Sequence, residues 1–329
     1  MRGRPRYRGR VLISLEEIRR ARETIAGAAI RTPLFRLHAP ESPAEIYLKL
    51  ENLQPIGSFK LRGATNRIRR ATAAELAGGV VTASAGNMAQ GVAWAARELG
   101  VPATIVVPEQ APETKLRAIE RLGGRVVKVP YKRWWQAIEE ARFEGAEGLF
   151  VHPVQDDLVM AGNGTIGLEI LEDLPDPDVV LVPYGGGGLT VGIASAIRAL
   201  APGVQVCPVE PETGAPVAAS LAAGEAREAV NYRASFVDGS GSPRVLPRMW
   251  ELARELVDRS FTASLDEVAG AIRLLVERAR VVAEGAGALA PAVALSGRAG
   301  TGKIVCVVSG GNIDASRLAA ILGGRTPEV

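Results

Sequence analysis

Val179-Val180-Leu181-Val182-Pro183-Tyr184-Gly185-Gly186-Gly187-Gly188-Leu189-Thr190-Val191-Gly192-Ile193-Ala194-Ser195-Ala196-Ile197 joins a β-branched apolar run to a longer apolar run through four glycines. The first run reads as a fully buried strand and the last as a packed helix, so the glycines fill a strand-to-helix turn. Such a turn aims successive N–H groups, backed by the helix dipole, at whatever sits above the carboxyl end of the strand. Lacking Cβ atoms, the backbone there can approach an anion closely. The run has neither the Lys-Ser/Thr ending of a nucleotide P-loop nor the spacing of a dinucleotide fingerprint, so a compact monophosphate fits better than a triphosphate or pyrophosphate. A flexible linker is the alternative reading, but four glycines between two apolar elements destabilise unless they are used.

The same alternation extends along the chain. After a helical lead-in near residues 15–26, short β-branched runs at 46–50, 79–83, 103–107, 125–129, 179–182, 204–209 and 303–308 are mostly separated by helical periodicity. This is the signature of βαβ units and a mostly parallel α/β sheet. Polar loops follow three of these strands: Ser84-Ala85-Gly86-Asn87, the glycine run, and Ser309-Gly310-Gly311-Asn312. In open α/β sheets that edge binds ligands.

A second signal is Gly57-Ser58-Phe59-Lys60-Leu61-Arg62-Gly63-Ala64. Lys60 is the only lysine between Lys49 and Lys115. Ser58 is placed to cap a helix, and Phe59 can desolvate the neighbouring amine and lower its pKa toward the nucleophilic neutral form. Taken alone, Lys60 reads better as an ordinary surface lysine in a helix's first turn. An amine able to form a Schiff base together with a phosphate cradle points to pyridoxal phosphate.

Composition narrows the class. The 329 residues suit one large or two medium α/β domains, and 47% apolar with 5% aromatic residues is globular. No apolar run reaches the roughly 18–20 residues of a membrane span, and the arginine-rich residues 1–10 lack the apolar core of a secretory signal. A soluble, cytoplasmic protein is expected. The net charge of +3 owes much to Arg2, Arg4, Arg6, Arg8 and Arg10, a tail read as solvated because no nucleic-acid motif accompanies it. Cys207 and Cys306 lie in apolar strand-like runs and read as buried inert thiols. With only His38 and His152 present, a histidine-rich metal site is not expected. Trp134 and Trp135 read as helix packing, and Asp156 with Asp157 as the acidic start of a helix rather than a catalytic pair.

Taken in order, the Lys60 octapeptide, the Ser84 loop, the glycine run and the Ser309 loop resemble those of the threonine dehydratase and serine racemase family, over about residues 15–316. The resemblance implies the tryptophan-synthase-β-like fold (pyridoxal-phosphate fold type II), with two open, mostly parallel sheets flanked by helices. Residues 1–71 and 154–329 would form a large cofactor-binding domain and residues 72–153 a small mobile one. Lys60 would carry the Schiff base and, once freed by substrate, act as the Cα base. Phe59 would pack on the pyridine ring, Asn87 would hold the 3′-oxygen, and Gly185, Gly186, Gly187 and Gly188 would bind the phosphate. Ser309 would face the pyridine nitrogen, Gly239 and Glu284 would line the ring, and Ser84, Ala85, Gly86, Asn87 and Met88 would receive the substrate. A hydroxyl at the ring nitrogen does not hold a proton there as an aspartate would, which favours prompt loss of a β-leaving group over transamination. The implied reaction is dehydration and deamination of a β-hydroxy amino acid such as L-threonine or L-serine by a homodimer.

Several positions depart from the family. Serine racemases carry a second serine where Ala85 stands, so dehydration is expected over racemase-type isomerisation. Glu210 remains from a divalent-cation site, but Ala215 and Pro216 replace the usual acidic pair, so no metal is expected. Met88 replaces a histidine, and Pro55, Ile56 and Tyr184 are also unusual. The apolar Pro55, Ile56 and Met88 suit either ordinary packing or a bulkier substrate such as phenylserine. The chain ends about twenty residues after Ser309, so the regulatory domain of biosynthetic threonine dehydratases is not expected. A non-catalytic binder would be expected to lose Lys60, and a nicotinamide oxidoreductase would need a dinucleotide fingerprint that is missing.

Overall fold

The computed structural model describes residues 13–327, so the arginine-rich tail lies outside the described residues. All seven runs read as strands are strands, and three short ones join them. In chain order they are β1 (Leu34–Arg36), β2 (Glu45–Leu50), β3 (Val80–Ala83), β4 (Ala103–Pro108), β5 (Gly124–Val129), β6 (Leu149–Phe150), β7 (Val179–Pro183), β8 (Gln205–Pro211), β9 (Phe261–Ala263) and β10 (Lys303–Val308). The larger sheet has the order β1-β2-β10-β7-β8-β9, the smaller β5-β4-β3-β6. Every pairing is parallel except β1 with β2.

Each sheet is buried on both faces, which is why its strands are continuously apolar rather than alternating. Val180 and Val182 of β7 enter one core with Ile18, Met160 and Ile193, while Val179 and Leu181 enter the opposite core with Ile46, Leu289 and Ile304. The smaller sheet repeats this with Val80 on one face and Val81 and Ala83 on the other. No helix among the described residues is long and apolar enough to cross a membrane.

The Lys60–Arg69 helix packs against both the Asp157–Asp173 helix, which precedes β7, and the Asn87–Glu98 helix, which follows β3. It therefore sits between the two sheets. Its approach to the Asp157–Asp173 helix needs small residues: a Cβ on Gly162 would lie 2.6 Å from the Arg62 carbonyl oxygen. Ser58 does not cap it. The residue before the helix is Phe59, with no side-chain cap, and Ser58 instead forms an isolated bridge with Gly310 that holds it away from the helix axis.

What anchors this helix is a buried ionic cluster. Arg62 donates to both oxygens of Glu51 at 2.8 Å and to the two oxygens of Glu169 at 2.6 and 2.9 Å. Lys49 pairs with Glu169 at 2.6 Å and donates to the Thr32 carbonyl at 2.7 Å. Burial opposes the charge on Glu51, but the Arg62 guanidinium outweighs it and holds the carboxyl below its usual range. Replacing Arg62 by methionine leaves the buried Glu51 carboxylate without its cation, while Glu169 keeps Lys49, an expected loss of about 3–5 kcal/mol in denaturant unfolding. A loss under about 1 kcal/mol would mean that the cluster is not desolvated in solution.

Candidate active site

The loops that follow β3, β7 and β10 converge on the start of the Lys60–Arg69 helix. Phe59 N–H donates to the Ser309 carbonyl at 3.0 Å, which ties the helix start to the end of β10. The Lys60 ammonium donates to the Pro153 carbonyl at 3.2 Å and lies 5.2 Å from the Phe59 ring centre. Burial pushes this amine down to about 8, against the opposing pull of Glu284. Lys60 is thus far easier to deprotonate than a lysine in water, as its neighbour Phe59 suggested from sequence.

The Pro153 carbonyl is presented by a turn that the sequence did not reveal. His152 Nδ1 accepts the N–H groups of Val154 and Gln155, each at 3.0 Å, and burial lowers the pKa of the imidazole, which keeps it an acceptor. Val154 then abuts the glycine turn, where a Cβ on Gly186 would collide with it. A Cβ on Gly185 would collide with the Gly239 carbonyl, so Gly239 does stand beside the turn. Gly187 has φ +96°, a conformation costly for any other residue, and precedes the first residue of the Gly188–Leu200 helix. The N–H groups of Gly185, Gly186 and Gly187 have neither a backbone nor a side-chain acceptor among the described residues. Unpaired donors at a helix N-terminus are a set that could hold an anion.

Opposite the cradle, side-chain amides link the Ser84 and Ser309 loops. Asn312 donates to the Ile56 carbonyl at 2.9 Å and to Asn87 Oδ1 at 2.7 Å, and Asn87 Nδ2 donates to Glu284 at 2.7 Å. Burial pushes the Glu284 carboxyl up to about 8, although the Asn87 amide pulls the other way. Asn87 retains one further N–H on its amide for another acceptor. Ser84 Oγ accepts from Gly86 N–H at 3.3 Å, shaping the turn into the Asn87–Glu98 helix, which has no side-chain cap. Ala85 lies beside Ser84 and offers no polar atom.

One expectation is corrected, and one weak candidate is accounted for. Met88 does not border this space: its side chain is buried with Ile68, Val92 and Ile105 in the core of the smaller sheet, because the second position of its helix faces inward. Glu210 is committed as well, accepting Val217 and Ala218 N–H at 3.0 and 2.8 Å at the start of the Pro216–Ala223 helix, and burial pushes it up to about 7. Among the described residues no three His, Cys, Asp or Glu side chains converge as a metal site.

A family model described as pyridoxal-phosphate dependent enzyme matches residues 25–310. The chain belongs to that family. Among its relatives, an L-threonine ammonia-lyase of Thermotoga maritima is 44% identical, over 94% of this chain and 78% of that protein. A catabolic L-threonine dehydratase of Staphylococcus aureus is 37% identical, over 94% and 92% respectively. Maize serine racemase superposes with a TM-score of 0.85 at 30% identity, covering 94% of this chain and 97% of that one. The fold is therefore that of fold type II in the pyridoxal-phosphate family.

The residues fit this cofactor: a half-buried amine with a depressed pKa is held by the segment that abuts a glycine turn whose N–H donors are unpaired among the described residues. If Lys60 is the amine that captures the cofactor aldehyde, capture by cofactor-free protein should accelerate as pH rises, with a midpoint near 8 rather than at lysine's ordinary 10.5. Absorbance after mixing follows it. A rate that keeps climbing toward the ordinary value would place the amine in water.

Proposed function

We propose that this enzyme eliminates water from L-threonine and L-serine, with water re-entering as the resulting imine hydrolyses, so that the net products are the corresponding 2-oxo acid and ammonium. The observation that carries the reading is the Lys60 amine, half-buried, easier to deprotonate than in water and held by the Pro153 carbonyl, whose neighbour Val154 abuts the glycine turn. When bound, pyridoxal phosphate supplies an electron sink that acidifies the substrate Cα. Lys60 takes the Cα proton. Gly185, Gly186, Gly187 and Gly188 hold the phosphate, Asn87 holds the ring oxygen through its free N–H, and Phe59, Gly239 and Glu284 enclose the ring. Ser309, almost fully buried at the end of β10, faces the ring nitrogen. The Ser84-Ala85-Gly86-Asn87 turn receives the substrate carboxylate at its helix N-terminus.

Residues 72–153, which contain the smaller sheet, act as the mobile part that closes over this space against residues 1–71 and 154–329. Two free, buried thiols, Cys207 and Cys306, suit a cytoplasmic setting. Exposed Ile30, Leu53 and Val282 lie close to the Asn52 contact with the Val282 carbonyl and suit the face of a homodimer.

Threonine and serine are preferred over a bulkier substrate because Met88 is withdrawn into the core. Isomerisation is the second reading, favoured by the likeness to maize serine racemase. It is opposed by Ala85, which offers no proton on the face opposite Lys60. Threonine should therefore yield 2-oxobutanoate, and unreacted L-serine should stay chirally pure. Lys60→Ala should lower the rate by about 10²–10⁴-fold or more. Ala85→Ser should introduce measurable D-serine on chiral chromatography. Turnover of phenylserine without turnover of threonine or serine would sink the assignment.

A further inference from the structure

We infer that the Tyr184 hydroxyl is a hydrogen-bond donor to the cofactor phosphate, a positioning group that reaches the glycine cradle from the side of Gly187. The inference rests on the assignment of that turn to the phosphate. Tyr184 closes the end of β7, and its backbone is fixed on both sides: its N–H donates to the Val209 carbonyl at 2.8 Å and its own carbonyl accepts Gly241 N–H at 3.3 Å. The ring is 1% exposed and packs in the core with Val182, Leu189 and Val191.

At the end of that ring the hydroxyl has no hydrogen-bond partner among the described residues. A Cβ on Gly187 would lie 2.5 Å from it, so the hydroxyl lies directly beside the cradle. Phenylalanine would supply the same packing without a stranded polar atom, whose desolvation is unfavourable. The nearest carboxylate does not satisfy it, since Glu210 accepts from Val217, Ala218 and Ser260. Burial, reinforced by the charge of Glu210, raises the phenol well above its ordinary value, so it remains an O–H donor at any working pH.

Tyr184 is thus in the same position as the N–H groups of Gly185, Gly186 and Gly187: a donor with no acceptor, at one end of one helix. A phosphate is acceptor-rich and dianionic, and it can take all of them at once. The hydroxyl adds a side-chain contact to a cradle otherwise made of backbone.

The test compares wild type with Tyr184→Phe in three measurements: equilibrium binding of pyridoxal phosphate and of phosphate-free pyridoxal to the cofactor-free protein, the phosphorus resonance of the bound cofactor, and the melting temperature of the cofactor-free protein. Tyr184→Phe should bind pyridoxal phosphate roughly tenfold more weakly, as expected for one hydrogen bond to a charged group. Pyridoxal binding should not change, the resonance should move, and the cofactor-free protein should melt no lower than wild type. Unchanged affinity with an unmoved resonance would overturn the inference, as would an equal loss for pyridoxal or a lower melting temperature without cofactor. A wild-type protein with no bound phosphorus signal would overturn the cradle assignment itself.

Discussion

Four charged side chains, Lys49, Glu51, Arg62 and Glu169, are shut away from water under the helix that carries Lys60, and the geometry of the site depends on how they are matched. Ionised groups in such a place cost several kcal/mol each unless every lone pair and proton is used. Here the Arg62 fork spans two carboxylates that arrive from different segments, one just after β2 and one on the Asp157–Asp173 helix. That requirement fixes the orientation of the Lys60–Arg69 helix about its own axis. Apolar packing alone would allow it to slide or rotate at lower cost.

The fixed orientation determines what Lys60 meets. Two residues before Arg62, its amine is directed to the Pro153 carbonyl, into a region dry enough to lower its pKa. The same dryness raises Glu284, and both shifts favour uncharged forms. Among the described residues neither group is held in an ion pair, so a charged cofactor can enter without first breaking one. Its donors, by contrast, are left unpaired at the glycine turn, where the negative charge belongs. Bare N–H groups at the glycine turn would favour a ligand that enters with its anionic end toward them.

The sequence announced what local patterning determines. Continuous β-branched runs gave the central strands, and the glycine run gave a turn whose steric need is written in its own composition. The short strands β1, β6 and β9 were not legible, because two or three residues carry no periodicity and exist only through their neighbours. Ser58 misled for a related reason: capping is a local preference, and the pairing of Ser58 with Gly310, from the far end of the chain, overrode it. Met88 misled because a position in the sequence loop was read as a position facing the ligand, whereas helix phase turned it inward. His152 and Pro153 gave no signal in the sequence, since a backbone carbonyl belongs to every residue and only the fold decides which one faces an amine.

Tyr184 shows how a local departure from a family pattern becomes interpretable only with coordinates. In sequence it is one large residue before four small ones, and its bulk is consistent with simple core filling. The structure separates the two ends of the side chain. The ring fills the core, as any aromatic residue would, while the hydroxyl stops beside the one residue of the turn that has a left-handed backbone. Packing explains the ring and leaves the oxygen unexplained. A buried polar atom without a partner persists only where something offsets its cost, and the charge that the glycine turn is built to receive is close enough to do so.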